Sequence, residues 1–221
     1  NSENRFIMDH AYWGESYDDD QIGKSIEASE FKSQHIQNET DLLDMTVERL
    51  ISGKVIGRFN GRFEWGPRAL GNRSILADPR SNEMKDLVNT KIKFREPFRP
   101  FAPSILAEST ESYFDLPNAM DNMAARFMLL VTDVHEDKQD LIPAVSHMGT
   151  ARVQTVHKDT NPSYYKLIEK FGESTGIPIL LNTSFNVRGE PVVTSPDDAL
   201  NTFRNSGIDT LVIGNHIVDK P

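Results

Sequence analysis

Two spacings of hydrophobic residues alternate along this chain, and together they predict interleaved helices and strands. In DLLDMTVERLISG the apolar positions 42, 43, 47, 50 and 51 recur at helical intervals, and Gly53 provides a C-terminal stop. The segments SNEMKDLVNTKI, NPSYYKLIEKFGEST and SPDDALNTFRNSG are predicted helices as well, starting near Ser81, Pro162 and Ser195. A weaker helix is predicted around residues 20–30.

Short apolar runs between these helices predict strands in VIGRF, RSILAD, FAPSILAE, ARFMLLVTDV, ARVQTV, GIPILLNTS and TLVIGNHIV. Because strands and helices interleave, the predicted fold class is α/β (α+β), a twisted mixed β-sheet flanked by helices. The compact domain is expected over residues 41–221. Residues 1–40 are polar and carry an acidic cluster at positions 18–20, so we expect them to form a solvated linker or arm.

The composition excludes several classes of protein. The chain has no cysteine, which rules out disulfides, thiolate nucleophiles and cysteine-based metal sites. Its six histidines form no HxxxH or HExxH motif, so no dedicated metal site is predicted. No apolar stretch approaches the ~18 residues of a membrane-spanning helix, and the composition fits a cytoplasmic protein.

The charge distribution points to a compact anion site. The chain carries a formal net charge of −9, yet the segment from Lys54 to Arg99 holds eleven basic and five acidic residues. That segment is therefore +6 and the remainder −15, which concentrates a positive field in one place. The negative remainder argues against a broad nucleic-acid surface. Arginine predominates among the cations, and its planar fork suits phosphate and carboxylate oxygens.

Two parts of this segment are candidates for the site. GRFEWGPRALGNRSI combines three glycines, which permit close backbone approach, with Arg62, Arg68 and Arg73, and Glu64 is placed to orient one guanidinium. In KIKFREPFRPFAPSIL, three prolines stiffen the backbone that carries Lys93, Arg95 and Arg99. Each part also has a plainer interpretation, a surface loop with solvated arginines in the first and a proline-rich connector in the second.

Two later segments add polar candidates. SHMGTARVQTV contains His147 and Arg152; a lone histidine is more often structural, whereas the arginine precedes a strand and is within reach of a phosphate. PILLNTSFNVRGEPVV runs from a buried strand into Asn182, Ser184 and Asn186, and polar residues at a strand end commonly form ligand sites in α/β sheets. A turn with capping side chains is the alternative there.

Together these segments describe a site for a ligand rich in phosphate. No Walker A motif, no GxGxxG motif and no carboxylate pair with acid–base spacing occurs. Mg²⁺ is expected to arrive with a nucleotide, because it needs few protein ligands.

The four segments, in this order, resemble the C-terminal domain of the O-carbamoyltransferases of the nodulation-protein and antibiotic-tailoring type. The resemblance spans roughly residues 41–219, and YWGESYDDDQI at 12–22 is similar to the stretch that joins this domain to the preceding one. It implies a YrdC-like fold. It also implies an N-terminal domain that holds a metal through histidines and transfers the carbamoyl group. Nothing in this chain corresponds to that domain, and a start at Asn1 without Met suggests a fragment.

The resemblance further implies a reaction, in which carbamoyl phosphate and ATP form carbamoyl adenylate with release of phosphate and pyrophosphate. Carried over by motif, the residues that would stabilise charge in catalysis are Lys93, Arg99 and Arg68. Those that would bind substrate or nucleotide are Arg152, Ser184, Asn182, Asn186, Arg62 and Arg73. Met148 departs from the family pattern, which usually has Asp before Gly-Thr-Ala-Arg.

Three other interpretations stay open at this stage. The domain is a non-catalytic nucleotide- or RNA-binding module, a structural domain whose cations only form ion pairs, or an enzyme that makes threonylcarbamoyl adenylate from bicarbonate and threonine. The acceptor of the carbamoyl group and the oligomeric state cannot be read from the sequence.

Overall fold

The fold is built around one mixed β-sheet of nine strands. The computed structural model describes residues 6–96 and 98–220. Along the sheet the strand order is β1-β9-β8-β2-β3-β7-β4-β6-β5, with β2/β8 and β4/β6 parallel and the other neighbours antiparallel. In chain order the strands are β1 Gln34–His35, β2 Ile56–Phe59, β3 Arg73–Ala77, β4 Ala102–Leu106, β5 Leu130–Asp133, β6 Thr150–Val156, β7 Ile179–Ser184, β8 Thr210–Ile213 and β9 His216–Asp219.

Helices cover both faces of the sheet. They are α1 Asp19–Glu27, α2 Glu39–Ile51, α3 Asn82–Val88, α4 Met123–Arg126, α5 Glu136–Gln139, α6 Pro162–Thr175 and α7 Pro196–Arg204. A π-helical turn, Asn89–Lys93, extends α3, and short 3₁₀ turns cover Ala107–Ser112 and Ala119–Asp121.

The core lies in two layers because successive strand residues point to opposite faces. Leu76 and Leu180 pack with α2 and α6, whereas Ile75 and Leu181 pack with α1, α3 and α7. Most residues of the central strands are buried, as expected for a sheet that is covered on both sides. The predicted α/β class with a mixed sheet flanked by helices is therefore confirmed.

Two local predictions are wrong in detail. ARFMLLVTDV is only partly a strand, because α4 ends at Arg126, Met128 takes a left-handed backbone conformation (φ 56°), and β5 begins at Leu130. TLVIGNHIV is a hairpin rather than one strand, turned at Gly214 (φ 54°) between β8 and β9. Ser81 is the N-cap residue of α3, as predicted, although its side chain makes no capping hydrogen bond.

The arm packs on the domain from Ala11 onward, whereas Phe6, Ile7 and Met8 are exposed. Ala11, Ile22 and Ile26 are buried, the last two in the layer that also contains α7. β1 adds to the sheet by pairing with β9. The expectation of a solvated tail is therefore wrong from Ala11 onward, because α1 is amphipathic and places its apolar side on the core.

Across residues 6–96 and 98–220, none of the helices combines the length and the hydrophobicity that a transmembrane span requires.

Candidate functional site

A group of adjoining cavities lies where the C-terminal end of β7 meets the N-terminal ends of β3 and β4. Their volumes are about 250, 400 and 170 Å³. Arg95 lines all three, while Arg99, Arg152 and Ser184 each line two, so the cavities share walls. We call this group the cationic basin. Its cations are Lys93, Arg95, Arg99, Arg68, Arg152 and Arg188.

Lys93 enters the basin from an unusual turn. The helix that starts as α3 widens into the π-helical turn Asn89–Lys93, and Phe94 then takes a left-handed conformation (φ 47°). A π-turn and a non-glycine residue at positive φ are both rare, and both are often found at functional sites. Here they direct the Lys93 side chain inward toward β7 and leave its residue only 7% exposed.

The Lys93 ammonium group is held by oxygens alone. Its Nζ lies 2.6 Å from the Ser184 carbonyl, 3.0 Å from the Asn186 carbonyl and 2.9 Å from Asn186 Oδ1, with Ser184 Oγ at 3.3 Å. No salt bridge joins Lys93 to a carboxylate within the described residues. Burial, with a smaller contribution from Arg95, therefore lowers the pKa of Lys93 to about 7. An anion in the basin would favour the charged form.

Arg95 forms the wall common to the three cavities. Its Nε donates to Asn89 Oδ1 at 2.7 Å, and its guanidinium lies 4.5 Å from the centre of the Phe101 ring. Burial, then repulsion from Arg99 and Arg152, lowers its pKa. Arg99 is more exposed and pairs with Glu96 at 3.1 Å. The Arg95 guanidinium is thus fixed by packing. Arg99 forms only a weak surface ion pair, in which an incoming anion can replace Glu96.

Arg68 and Arg152 face each other across the smallest cavity. Each has a buried Nε without a hydrogen-bond partner among the described residues. Burial, followed by the charge of Arg68, lowers the pKa of Arg152. Two like charges with unsatisfied donors are costly in the absence of an anion, and a phosphate or carboxylate between them would relieve both problems.

The amide and hydroxyl groups at the end of β7 are tightly arranged. Ser184 Oγ donates to Asn186 Oδ1 at 2.7 Å, and Asn186 Nδ2 donates to the Glu190 carbonyl at 2.7 Å. Asn182 is buried, and its Nδ2 lies 2.8–3.1 Å from three oxygens, those of Ala69, Ser104 and Gln154. Its Oδ1 is buried with no hydrogen-bond donor in the part of the chain that the structure describes. These side chains hold the basin floor rigid.

Glu64 shapes the loop before β3 rather than orienting a guanidinium. Its Oε1 accepts backbone N–H bonds from Leu70 (2.9 Å), Asn72 (2.6 Å) and Arg73 (3.2 Å). The carboxyl is fully buried, and burial raises its pKa against the lowering effect of those bonds. In the same loop Gly71 has φ 115°, and a Cβ there would lie 2.3 Å from the Tyr164 ring. Glu64 and Gly71 together fix the path that presents Arg68.

Arg62 and Arg73 lie outside the cationic basin. Arg62 donates to the carbonyls of Trp13 and Gly14 at 3.0 Å and so fastens the N-terminal arm. Arg73 is fully buried on β3, donates to the carbonyls of Asn60 and Gly61, and stacks on Phe59 at 3.7 Å. The structure therefore places seven of the nine sequence-predicted residues together: Lys93, Arg99, Arg68, Arg152, Ser184, Asn182 and Asn186.

Arg95 and Arg188 line the basin but were not selected as site residues from the sequence. Arg95 stands between Lys93 and Arg99 in the same proline-stiffened segment. The pattern that indicated those two residues, a cation on a rigid backbone, therefore indicates Arg95 as well. Arg188 follows Asn186 by two positions and reaches the Phe94 carbonyl at 3.3 Å. His147 and Thr150 line the largest cavity, while Met148 projects away from the fold and is 91% exposed.

This chain belongs to the carbamoyltransferase family. Residues 47–220 match the model of the carbamoyltransferase C-terminus. The chain is 44% identical over 211 residues to nodulation protein NolO of Bradyrhizobium diazoefficiens, covering 95% of this chain and 38% of that protein. It is 36% identical over 167 residues to the 3'-hydroxymethylcephem-O-carbamoyltransferase of Amycolatopsis lactamdurans, covering 75% of this chain and 31% of that protein. The chain thus spans about a third of the length of these relatives, 38% of the first and 31% of the second.

Solved structures share the fold at low sequence identity. HypF in its phosphate- and nucleotide-bound form superposes with a TM-score of 0.54 at 14% identity, covering 79% of this chain and 25% of HypF. A variant of P. abyssi Sua5 superposes with a TM-score of 0.52 at 15% identity, covering 80% of this chain and 54% of Sua5. The predicted YrdC-like fold and the resemblance to the carbamoyltransferases are both confirmed.

Proposed function

We propose that this domain makes carbamoyl adenylate from carbamoyl phosphate and ATP, for transfer to an acceptor hydroxyl by another domain of the same polypeptide. The observation that carries the proposal is the cationic basin. It combines a buried ammonium group with arginine donors that lack partners, and it holds few acidic groups. Such a basin suits two phosphate-bearing substrates at once. Each phosphate would offset the repulsion between neighbouring arginines in the free protein.

The proposed reaction needs positioned charge more than acid–base groups. Water cleaves carbamoyl phosphate to carbamate and phosphate, and a carbamate oxygen then attacks the α-phosphorus of ATP. A P–O bond forms as the bond to the leaving pyrophosphate breaks. Lys93 and Arg99 border the cavity at the end of β7, and we assign the triphosphate of ATP to that cavity. The two cations would then offset the charge that develops at the phosphorus.

The second substrate is assigned to the cavity between Arg68 and Arg152. The partnerless Nε groups of the two arginines supply donors for a small anion, and Asn182 lines the same cavity with Ser184. A carbamoyl group carries both an amide donor and a carbonyl acceptor, which match the unpaired Asn182 Oδ1 and the neighbouring guanidinium donors. Mg²⁺ would enter with ATP, with Glu96 the one carboxylate lining the described cavities of the basin.

Pyrophosphate release by this chain tests the proposal. The assay contains ATP, Mg²⁺ and carbamoyl phosphate, and each component is omitted in turn. We expect release that requires carbamoyl phosphate and is lost in Lys93→Ala and Arg99→Ala. Arg204→Ala is the matched control, because Arg204 lies exposed at the end of α7 over the Phe31 ring.

Two further measurements separate the alternatives. Replacing carbamoyl phosphate by bicarbonate and threonine distinguishes threonylcarbamoyl-adenylate synthesis, which would release pyrophosphate under those conditions only. ATP binding is measured in parallel by titration calorimetry. Binding without any turnover would identify a nucleotide-binding domain and refute the proposed half-reaction in this chain. Equal ATP binding by wild type and Lys93→Ala would refute the assignment of the site.

A further inference from the structure

A second cluster of polar side chains lies at the β1 edge of the sheet, away from the cationic basin. Asp19 on α1, His35 on β1 and His216 on β9 each offer one ligand atom, and these atoms lie within 4.8 Å of one another. His35 Nε2 is 2.7 Å from Asp19 Oδ2, and His216 Nε2 is 3.6 Å from Asp19 Oδ1. The carboxylate thus presents one oxygen to each imidazole.

The orientation of His216 is set from its other side. Its Nδ1 lies 3.2 Å from Ser33 Oγ, which leaves Nε2 directed at Asp19. A hydrogen bond at the far ring nitrogen is the usual way in which proteins fix a metal-binding histidine and its tautomer. The residue is only 9% exposed, so its ring has little freedom to turn away. The two imidazole rings are 4.6 Å apart at their centres.

Among the described residues, no lysine or arginine forms a salt bridge with Asp19. Within the described residues, the salt-bridge partners of this carboxylate are the two histidines. Lys24, the nearest lysine along α1, pairs with Asp20 instead. Two imidazole nitrogens and one carboxylate oxygen are together a ligand set for a divalent transition metal.

We propose that Asp19, His35 and His216 bind one divalent transition-metal ion, of which Zn²⁺ is the reference, with solvent completing the coordination. Four-coordinate zinc with bonds of about 2.0–2.1 Å places its ligand atoms about 3.3 Å apart. The separations of 2.7 and 3.6 Å are measured to two different oxygens of Asp19, and the three ligand atoms lie within 4.8 Å of one another. Because Asp19 and His35 are exposed, rotation of their side chains would bring one carboxylate oxygen and both imidazole nitrogens to the distances that the ion requires.

The ion would act as a clamp for the N-terminal arm. α1 and β1 belong to the arm, whereas β9 belongs to the body of the sheet, so one metal ion would join three elements at two ends of the chain. In the strand order, β1 and β9 stand at one edge, and β8, β2 and β3 separate them from β7, whose end borders the basin. The clamp is therefore independent of the proposed adenylation chemistry.

Zinc binding by the intact chain tests the proposal. The protein is treated with a chelator, dialysed and titrated with Zn²⁺ by calorimetry, and Co²⁺ is used in parallel because its visible absorption reports coordination. We expect one equivalent to bind. At about one hundred times the Kd, the melting temperature should rise by about 5–10 °C. Mg²⁺ should not compete, since it prefers oxygen ligands.

Variants of the exposed ligands decide whether the site is the one described. Asp19→Asn and His35→Gln should each weaken binding at least tenfold and remove the shift in melting temperature. His135→Gln is the matched control, because His135 stands before α5 in another part of the fold and its side chain makes no capping hydrogen bond. Equal Zn²⁺ affinity in wild type, Asp19→Asn and His35→Gln would overturn the proposal. So would the absence of saturable binding up to millimolar Zn²⁺.

Discussion

The Nζ atom of Lys93 lies 2.9 Å from Oδ1 of Asn186, so a buried ammonium group is held by an amide where a carboxylate would ordinarily serve. The amide satisfies the hydrogen bond without neutralising the charge. The positive charge therefore remains available to a ligand, and the protein bears the cost of burying it.

Replacing that amide by a carboxylate should raise the stability of the protein and weaken its binding of ATP. In Asn186→Asp the new carboxylate would pair with Lys93, raise the pKa of the lysine and offset the field that an anion meets. The change also removes the hydrogen bond from Asn186 Nδ2 to the Glu190 carbonyl, which offsets part of the gain from the ion pair. We expect the free energy of unfolding at pH 7 to rise by ~1 kcal/mol and ATP affinity to fall at least tenfold. Urea unfolding and titration calorimetry measure the two effects. Unchanged affinity would mean that the charge of Lys93 does not reach the nucleotide.

The low pKa of Lys93 should make stability depend on pH. Since burial lowers that pKa to about 7 from an ordinary 10.5, the unfolded chain binds more protons at this residue between those two values. The stability of wild type should therefore rise from pH 7 to pH 9 relative to Lys93→Met, by up to ~1.4 kcal/mol per pH unit. Urea unfolding of both proteins at pH 7, 8 and 9 checks this. If the stabilities of the two proteins change equally with pH, Lys93 keeps an ordinary pKa.

Removing one of the facing arginines should affect binding and stability in opposite ways. Arg152→Gln deletes a cation whose Nε lacks a partner and which is repelled by Arg68. We expect the stability of the free protein to change by less than ~1 kcal/mol or to increase. Affinity for carbamoyl phosphate should fall by roughly 10–100-fold, the amount expected for a lost charged hydrogen bond. A large loss of stability would indicate that Arg152 holds the fold instead.

Glu64 should prove structural. In Glu64→Ala the backbone N–H groups of Leu70, Asn72 and Arg73 lose their common acceptor, and a cost of at least ~3 kcal/mol is expected for three buried donors. Glu64→Gln keeps an oxygen in the same place, so it should retain most of the stability and the pyrophosphate release. Denaturant unfolding compares the two variants. Similar losses in both would indicate that the negative charge, and not the hydrogen bonding, is what the loop needs.

Elements specified by local signals could be predicted from the sequence. Pro196 starts α7, and Ser195 caps it through a hydrogen bond from Asp198 N–H, all within four residues. The β8–β9 hairpin was missed although its Gly214–Asn215 turn is a known hairpin signal, because the apolar run continues on both sides. The pairing of β1 with β9 joins positions more than 180 residues apart, and no local sequence pattern predicts it.

The site was predictable as a set of segments but not residue by residue. Arg62, Arg68 and Arg73 come from one segment of the sequence, in which nothing distinguishes their roles. Their positions differ because the arm supplies carbonyl acceptors for Arg62 and the Phe59 ring covers Arg73, leaving Arg68 for the basin. Such differences depend on tertiary neighbours that lie far away in the chain. The Asp19, His35 and His216 cluster escaped motif searches for the same reason.

The π-helical turn before Phe94 makes the winding of this segment, and not only its residues, decide where Lys93 points. An α-helix advances by 100° for each residue, whereas the wider turn fits one residue more into about the same rotation. If the same five residues wound as a regular α-helix, the additional residue would rotate Lys93 by about a quarter of a turn away from β7. Substitutions that favour a regular α-helix here would therefore weaken anion binding even when every cation is retained.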